Sequence, residues 1–287
     1  KFAKKNNLNF SLRIDDTDPE RSQTKFTTAI KEDIEWLGLS YCKLILQSER
    51  VKTYQSIAEE LKSNGILYPC YETSEELLLK RRIQLKSGRP PIYDRSALKL
   101  SINEKKNFER NGNKPHWRLL LNDDPVEWFD LIHKKVRFER LSISDPILVR
   151  SDNTPLFTLT SVIDDIEFKI THILRGDDHI TNTAAQINLF KYLGSEIPKF
   201  GHFPLLKSLN GEELSKRGGS NSIRELKNQN IIPNVLNTFL AKIGTSFSPE
   251  DIKSLEMLQE EFDISTFSKN PIKFDTKDLN RLNIKYF

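Results

Sequence analysis

Polar and apolar positions along this chain follow two different spacings, which predict strands and helices in alternation. Residues Asn9–Ile14 alternate, with Phe10, Leu12 and Ile14 on one side, as is typical of a strand. Short apolar runs predict further strands at 116–121, 135–138, 155–163 and 170–174. Because helical patterns separate several of these runs, we expect an α/β fold with an open sheet.

Apolar residues spaced three and four positions apart predict the helices. They cover 26–37, 51–61 and 181–193, and a further helix extends from Pro233 to Gly244. Thr73 with Glu76, and the run 248–251, have the sequence of helix-capping boxes. Asp275 is in position to cap the last helix.

Composition and charge narrow the class of protein. The 287 residues are 37% hydrophobic and 29% charged, which is ordinary for a globular protein of two or three domains. No apolar run approaches the length of a membrane span. Two isolated cysteines, Cys42 and Cys70, indicate reduced thiols in a cytoplasmic protein. Because the only methionine is Met257, we expect the start of the protein to lie before Lys1.

Acidic residues follow the first predicted strand, at the edge where an open α/β sheet binds its ligands. Asp15, Asp16 and Asp18 could hold an ammonium group or the hydroxyls of a ribose. The alternative is structural, because Thr17 or Asp18 ahead of Pro19 is also typical of a helix N-terminus. Both interpretations remain open, since a cap needs only one acid.

A second charged stretch, Arg175–His179, follows the strand predicted at 170–174. Arg175 is a candidate for binding a carboxylate, because a guanidinium matches the two oxygens of that group. The alternative is an ion pair between Arg175 and a neighbouring aspartate. His179 taken alone is more typical of a structural histidine than of a ligand.

A third stretch, 205–220, combines cations with glycines. Ser215, Lys216 and Arg217 precede Gly218 and Gly219. Glycines allow the backbone to approach an anion, and the two cations could neutralise a phosphate chain. The alternative is a solvated surface turn. A net charge of +4 is too small to decide whether the partner is a nucleic acid.

These three stretches together resemble class I aminoacyl-tRNA synthetases, and bacterial glutamyl-tRNA synthetases in particular. Phe10–Arg21 is similar to the family's Arg-Ile-Glu-Asp-Thr-Asp-x-x-Arg stretch, and Arg175–His179 to an Arg-Gly-Glu-Asp-His variant. The stretch 213–217 is similar to the Lys-x-Ser-Lys-Ser/Arg loop. The three occur in the family's order, and the resemblance covers nearly the whole chain.

The resemblance implies an α/β, Rossmann-like class I synthetase catalytic domain with an inserted α+β acceptor-binding subdomain and a helical stem-contact region. A change of composition supports the insert, since 99–145 is rich in lysine, asparagine and glutamate. The implied boundaries are 1–70 and 147–220 for the two parts of the catalytic domain, 71–146 for the insert and 221–287 for the helical region.

The resemblance also implies roles for residues at the matching positions. Those at the glutamate site are Arg13, Asp15, Phe157, Ser161, Arg175 and His179. Lys216 is implied as the catalytic cation, assisted by Ser215 and Arg217, and ATP binding is implied for Lys216 and Asp178. Binding of tRNA is implied for Arg21, Arg81 and Arg82, although a basic helix face is also typical of solvated surface.

The chain departs from the family pattern at several of these positions. Glu213 replaces the first lysine of the loop, and Asp15 replaces a longer glutamate. Phe157 and Ser161 stand where a tyrosine and an asparagine are usual, so fewer polar groups are available to hold glutamate. The family's His-x-Gly-His signature is not found in these residues.

The implied activity is ATP-dependent activation of glutamate, followed by transfer to the 3′ end of tRNA(Glu). The expected cofactor is ATP with Mg²⁺. Zinc is not expected, because Cys70 alone remains in the region where some members carry zinc-binding cysteines. We further expect a monomer with no membrane association. The alternatives are an enzyme that also charges tRNA(Gln), a glutamyl-queuosine tRNA(Asp) synthetase and a noncatalytic tRNA-binding module.

Overall fold

The computed structural model of the chain describes residues 1–18, 22–212, 214, 222–246 and 251–286. The helices within them are α1 (Phe2–Lys5), α2 (Thr24–Trp36), α3 (Val51–Ser63), α4 (Ser74–Lys86), α5 (Ile102–Arg110), α6 (Phe157–Glu167), α7 (Ile180–Tyr192), α8 (Ile223–Asn228), α9 (Pro233–Lys242), α10 (Leu255–Glu260) and α11 (Thr276–Lys285). The strands are β1 (Leu12–Ile14), β2 (Leu44–Leu46), β3 (Leu67–Cys70), β4 (His116–Leu119), β5 (Val126–Asp130), β6 (Lys134–Phe138), β7 (Ile147–Val149), β8 (His172–Gly176), β9 (Lys199–Phe203), β10 (Leu206–Lys207) and β11 (Ile272–Lys273).

Two parallel strand pairs carry the charged stretches at their ends. β1 pairs with β2, with Ile14 opposite Leu46, and α2 connects them. β8 pairs with β9, with Gly176 opposite Phe203, and α7 connects those two. A helix between two parallel strands is the β-α-β unit of α/β proteins. Both strand pairs therefore contain the β-α-β unit that is typical of the α/β fold expected from the sequence.

The middle of the chain is antiparallel. β3, β4 and β7 form one sheet, and β5 and β6 form a separate hairpin. The mixture of α4, α5 and antiparallel strands agrees with the α+β character predicted for the insert. β4 pairs with β3 and with β7, however, so this sheet includes strands from both sides of the predicted boundaries. The boundaries themselves stay a prediction.

The strand predicted at 155–163 is wrong, because the structure has helix α6 there. The helix is buried on almost every side, including Leu159, Val162 and Ile163. The run mixes apolar and hydroxyl residues, and such a short run without charged positions fits a buried strand as well as a buried helix. Its packing against α7 and α3 decides for the helix, and this cannot be read from the local sequence.

Two hydrophobic clusters support these elements. The larger contains Tyr54, Leu159 and Phe190, and it unites α3, α6 and α7 with the antiparallel sheet. The second joins Leu37, at the end of α2, to Leu236 and Leu279 of the C-terminal helices. The predicted helical region therefore packs on the part of the chain that follows β1.

Polar caps mark several helix starts. The capping box of Thr73 and Glu76 is confirmed, and the Asp275 side chain accepts a hydrogen bond from the amide of Lys277. Neither Thr17 nor Asp18 caps α2, which begins only at Thr24.

One predicted cap cannot be followed in full. The box predicted at 248–251 lies mainly outside the described residues, and residues 251–254 are not helical. α10 begins at Leu255, where Ser254 caps it. Among the helices that are described, none is long and apolar enough to cross a membrane.

Candidate active site

Arg13 lies in β1 and Arg175 lies near the end of β8. Helix α6 carries Asp165, which contacts Arg13, and Ser161, which is linked to Arg175 through Gln186. Arg13 Nη1 donates a hydrogen bond to Asp165 Oδ1 at 2.8 Å. Its Nε lies 3.4 Å from Asp15 Oδ1 and 3.7 Å from Asp164 Oδ2, so three carboxylates compensate the guanidinium.

The three acids that follow β1 are held differently. Asp15 pairs with Arg13 and keeps a half-exposed side chain. Asp16 accepts hydrogen bonds from the amide and the hydroxyl of Ser48, at 2.8 and 2.7 Å. Asp18 lies 3.7 Å from Arg150 Nη1. Asp16 therefore fixes the turn after β2, while Asp15 is the acid that lies beside the predicted glutamate site.

The Arg175 side chain is held by neutral groups. Its Nη2 donates to Thr183 Oγ1 at 2.6 Å and to Gln186 Oε1 at 2.5 Å, and its Nε lies 3.4 Å from His202 Nε2. Burial lowers the pKa of the guanidinium to about 10, against the opposing charges of Asp165 and Asp178. Arg175 therefore still carries its proton at neutral pH.

Within the described part of the chain, no carboxylate lies at ion-pair distance from Arg175. Asp177 Oδ1 lies 2.7 Å from His133 Nε2, and Asp178 Oδ2 lies 3.6 Å from His179 Nε2. The alternative interpretation of Arg175 as the partner of a neighbouring aspartate is therefore wrong for these residues. A buried charge without a counter-ion is costly unless a ligand compensates it.

Helix α6 brings three side chains of the site onto one face. Phe157, Ser161 and Asp165 are four residues apart and so share a side of the helix. Ser161 Oγ donates to the Phe157 carbonyl at 2.6 Å and accepts from Gln186 Nε2 at 2.7 Å. Since Gln186 also binds Arg175, the serine is connected to the guanidinium through one amide.

Phe157 and His179 contact each other across the same region, with ring centroids 5.3 Å apart. The structure therefore brings Phe157, Ser161, Arg175 and His179 into one neighbourhood, as the resemblance implies. Burial lowers the pKa of His179, so its imidazole is neutral near pH 7. A neutral ring adds no charge that would compete with Arg175 for an acidic ligand.

Other predicted site residues lie outside the described residues. These are Ser215, Lys216 and Arg217, together with Glu213 of the same loop and Arg21. Leu214, which is described, packs against the second hydrophobic cluster. The roles predicted for these residues therefore stay predictions.

The basic residues predicted on α4 differ in their surroundings. Arg81 and Arg82 are exposed. Lys80, from the same run, instead lies 3.2 Å from Glu72 Oε1 and donates to Ser96 Oγ at 2.8 Å. Arg81 and Arg82 are accessible to a nucleic acid, whereas Lys80 is already engaged in the protein.

The sequence prediction missed the residues that hold the two arginines, namely Asp165, Thr183, Gln186, His202 and Asp130. The adjacent acids Asp164 and Asp165 were a visible signal, because two charges inside an apolar run need partners. No local pattern marks Thr183 or Gln186, since polar residues are common in helices. Their role depends on α7 packing beside β8 and α6.

One group of possible metal ligands lies apart from this site. Cys70, Glu72 and His116 have donor atoms within 4.8 Å of one another, because β3 and β4 place Cys70 opposite His116. Glu72 Oε2 and His116 Nε2 have no hydrogen-bond partner among the residues that the structure describes.

The chemistry of this group is mixed. A thiol and an imidazole fit zinc, which usually takes four ligands in a structural site. Against this, burial raises the pKa of Cys70 to about 11, and Lys80 lies beside Glu72. A metal would have to displace a tightly held proton next to an ammonium group.

With this geometry described, the comparisons with known proteins identify the class. The chain belongs to the class I aminoacyl-tRNA synthetases, because the family described as tRNA synthetases class I (E and Q), catalytic domain, matches residues 1–281. This confirms the resemblance drawn from the sequence motifs.

Particular relatives are glutamate–tRNA ligases. The chain is 48% identical over 285 residues to glutamate–tRNA ligase 1 of Maricaulis maris, covering 99% of this chain and 64% of that protein. It is 47% identical over 285 residues to the glutamate–tRNA ligase of Azospirillum brasilense, with the same 99% and 64% coverage. The chain thus spans less than two thirds of the length of these relatives.

The fold is similar to that of solved structures. The crystal structure of glutamate-tRNA synthetase from Elizabethkingia anophelis superposes with a TM-score of 0.86 at 25% identity, covering 99% of this chain and 65% of that one. The α/β, Rossmann-like class I synthetase fold expected from the sequence is therefore confirmed.

Proposed function

We propose that this chain is the catalytic portion of a glutamate–tRNA ligase, which activates glutamate with ATP and transfers it to the 3′ end of tRNA(Glu). The observation that carries the proposal is the partly buried guanidinium of Arg175, which has no carboxylate at ion-pair distance among the described residues. A free dicarboxylate such as glutamate supplies the missing counter-ion. The names of the relatives support the same substrate.

The side-chain carboxylate of glutamate is the group assigned to Arg175. Arg13 pairs with Asp165 of α6, and Asp15 is the acid that would meet the α-amino group. The α-carboxylate must stay free to react, because a guanidinium bound to it would occupy the oxygen lone pairs needed for attack. Phe157, Ser161 and His179 complete the proposed glutamate site.

In the first chemical step, an oxygen of the α-carboxylate attacks the α-phosphorus of ATP. A bond forms between that oxygen and phosphorus, the bond to the β-phosphate oxygen breaks, and pyrophosphate leaves. Negative charge grows on the phosphate oxygens, so a positioned cation lowers the barrier. We assign that role to Lys216, assisted by Ser215 and Arg217, and we assign an ATP contact to Asp178.

Mg²⁺ would accompany ATP, held mainly by phosphate oxygens and water. In the second step a ribose hydroxyl of the terminal adenosine attacks the glutamyl carbonyl, and AMP leaves. Arg21, Arg81 and Arg82 are the proposed contacts to the tRNA phosphates. We further propose a monomer, located with its tRNA in the cytoplasm, that needs no bound zinc.

The test compares binding and exchange in the protein that carries this chain. Calorimetry with glutamate, glutamine and aspartate should show glutamate binding that Arg175→Lys weakens about tenfold or more, because an ammonium cannot contact Thr183 and Gln186 and the substrate carboxylate as the guanidinium does. Equal affinity for glutamine would contradict the assignment of Arg175 to a carboxylate.

A second measurement separates an enzyme from a binding module. Pyrophosphate exchange in the presence of glutamate, ATP and tRNA should be abolished by Lys216→Ala, while glutamate still binds. Tight binding of the tRNA acceptor stem without exchange would instead favour a noncatalytic RNA-binding module.

A further inference from the structure

The carboxylate of Asp130 is fully buried and saturated with hydrogen bonds. It lies at the end of β5 and accepts from the backbone amides of Ile132 and His133, both at 2.9 Å, and from that of His202 at 3.3 Å. Its other oxygen lies 2.6 Å from His202 Nδ1. Burial alone would raise the pKa of Asp130, but the hydrogen bonds lower it to about 2. Asp130 is therefore ionised at neutral pH.

An ionised carboxylate fixes which nitrogen of His202 carries the proton. It can only accept hydrogen bonds, so Nδ1 of His202 must be the donor. The opposite nitrogen, Nε2, lies 2.8 Å from Thr183 Oγ1 and 3.4 Å from Arg175 Nε. Since a guanidinium only donates, Nε2 has to present its lone pair to Arg175. The neutral Nδ1–H tautomer is the form that satisfies both neighbours.

One neighbour of the guanidinium also contacts this imidazole. Thr183 Oγ1 lies 2.8 Å from His202 Nε2 and accepts a hydrogen bond from Arg175 Nη2, and Gln186 Oε1 accepts from the same Nη2. Among the residues described, none accepts a hydrogen bond from Arg175 Nη1. That nitrogen is left for a ligand, while Nε and Nη2 are held by the protein.

We propose that Asp130 is a positioning residue for Arg175, acting through the tautomer of His202. The inference rests on the proposed function only where it takes Arg175 as the group that binds the substrate carboxylate. It adds a requirement that the glutamate site be completed by the β5–β6 hairpin, which belongs to the predicted insert. Thr183, Gln186 and His202 lie in the second part of the predicted catalytic domain.

The β5–β6 hairpin contacts the second part of the predicted catalytic domain at two further points. The amide of Leu131 donates to the Phe200 carbonyl at 2.8 Å, and His133 Nε2 lies 2.7 Å from Asp177 Oδ1. The turn after β5 therefore meets both strands of the β8–β9 pair. These contacts hold the hairpin beside His202 and do not involve the Asp130 side chain.

The decisive variant is Asp130→Asn, which keeps the shape but changes the hydrogen-bonding pattern. Its amide oxygen can take over the contacts to the backbone amides, which leaves the amide NH₂ facing His202 Nδ1. Nδ1 must then accept, so the proton moves to Nε2 and points at Arg175. Nitrogen-15 NMR of the histidine ring should show a proton on Nδ1 in the wild type and on Nε2 in the variant. The Arg175 Nε–H signal should shift or exchange faster.

The functional result expected is selective. Asp130→Asn should weaken glutamate binding about tenfold or more, which is typical of a disturbed hydrogen bond to a charged group, and leave ATP binding unchanged. The matched control is Asp145→Asn, another fully buried aspartate with several donors, which contacts Tyr68 and Arg95 rather than His202. Asp145→Asn should lower the midpoint of thermal unfolding without changing the ratio of the affinities for glutamate and ATP.

Several results would overturn the proposal. They are a proton on Nε2 of His202 in the wild type, an unchanged Arg175 signal in Asp130→Asn, or an equal loss of glutamate and ATP affinity. If the wild type does not bind glutamate, the proposed function fails by itself. The two NMR signals then still decide whether Asp130 positions Arg175.

Discussion

Arg13 and Asp165 form a buried ion pair that joins the end of β1 to helix α6 across 152 residues of sequence. The neighbouring acid, Asp164, accepts hydrogen bonds from Gln47, Arg50 and Tyr54. Its Oδ2 also lies 3.7 Å from Arg13 Nε, so it is a second, more distant partner of that guanidinium. Burial raises the pKa of Asp165, and the charge of Arg13 opposes this rise. The direction of one arginine in the proposed glutamate site is thus set by a helix distant in sequence.

Replacing Asp165 should destabilise the protein through Arg13. Asp165→Ala leaves a largely buried guanidinium without its main partner, so we expect the free energy of unfolding to fall by about 3 kcal/mol. Urea denaturation would measure this.

The matched control lies on the same helix. Glu167 pairs with Arg50, but its side chain is 50% exposed, compared with 7% for Asp165. Glu167→Ala should therefore cost less than about 1 kcal/mol. Equal losses for the two variants would show that burial of the Arg13 pair contributes nothing.

Arg175 should show a conflict between stability and binding. Arg175→Met removes a buried charge that lacks a carboxylate partner among the described residues, so we expect the unfolding free energy to stay level or to rise by up to about 2 kcal/mol. Glutamate binding should be lost in the same variant. Thermal unfolding and calorimetry on one preparation measure both.

Arg50→Met serves as the comparison, because that arginine is similarly buried but pairs with Asp164 and Glu167. Its loss should cost about 3 kcal/mol or more, because it removes the 2.8 Å contact between Arg50 Nε and the fully buried Asp164 carboxylate. If Arg175→Met is as destabilising as Arg50→Met, then Arg175 is a structural residue.

His116 should make stability depend on pH in the acid range. Burial, assisted by the charge of Arg118, lowers its pKa to about 4. Between pH 6.5 and pH 4 the unfolded chain therefore binds a proton that the folded protein does not. The contribution of His116 to the free energy of unfolding is therefore constant above pH 6.5. Below pH 6.5 the free energy of unfolding falls as the pH falls. The loss reaches about 2 kcal/mol near pH 4, because solvent screening reduces the full effect for a side chain that is only partly buried.

The measurement is the unfolding free energy of the wild type and of His116→Gln at several pH values. The difference between them should change with pH from 6.5 down to 4 and remain constant above that range. A difference that is independent of pH would mean that the folded imidazole titrates normally.

Arg81 and Arg82 should contribute to tRNA affinity through their charge. Each cation that neutralises a phosphate adds about one unit to the slope of log affinity against log salt. The double variant Arg81→Ala, Arg82→Ala should therefore lower the slope by about two. Filter binding at several salt concentrations would measure it, with Lys52→Ala on α3 as a control for an exposed cation outside the insert. An unchanged slope would favour the solvated surface interpretation of α4.

Much of the architecture followed from local pattern. The strand before Asp15, the helices after it and the strand before Arg175 were all predicted, because amphipathic spacing and helix ends are local properties. The segment 155–163 was not, since its mixture of apolar and hydroxyl residues fits a buried strand or a buried helix equally well. Only its contacts with α3 and α7 settle the choice.

The sequence by itself determined which charged groups are candidates for the chemistry, because a guanidinium or a carboxylate keeps its nature in any fold. Arg13, Asp15 and Arg175 could therefore be named in advance. What only the tertiary structure decided is which groups surround these charges: Asp165 pairs with Arg13, whereas Thr183, Gln186 and His202 contact Arg175. Hydrogen bonds between residues far apart in sequence arise when packed elements meet, and no local pattern encodes which donor will face which acceptor.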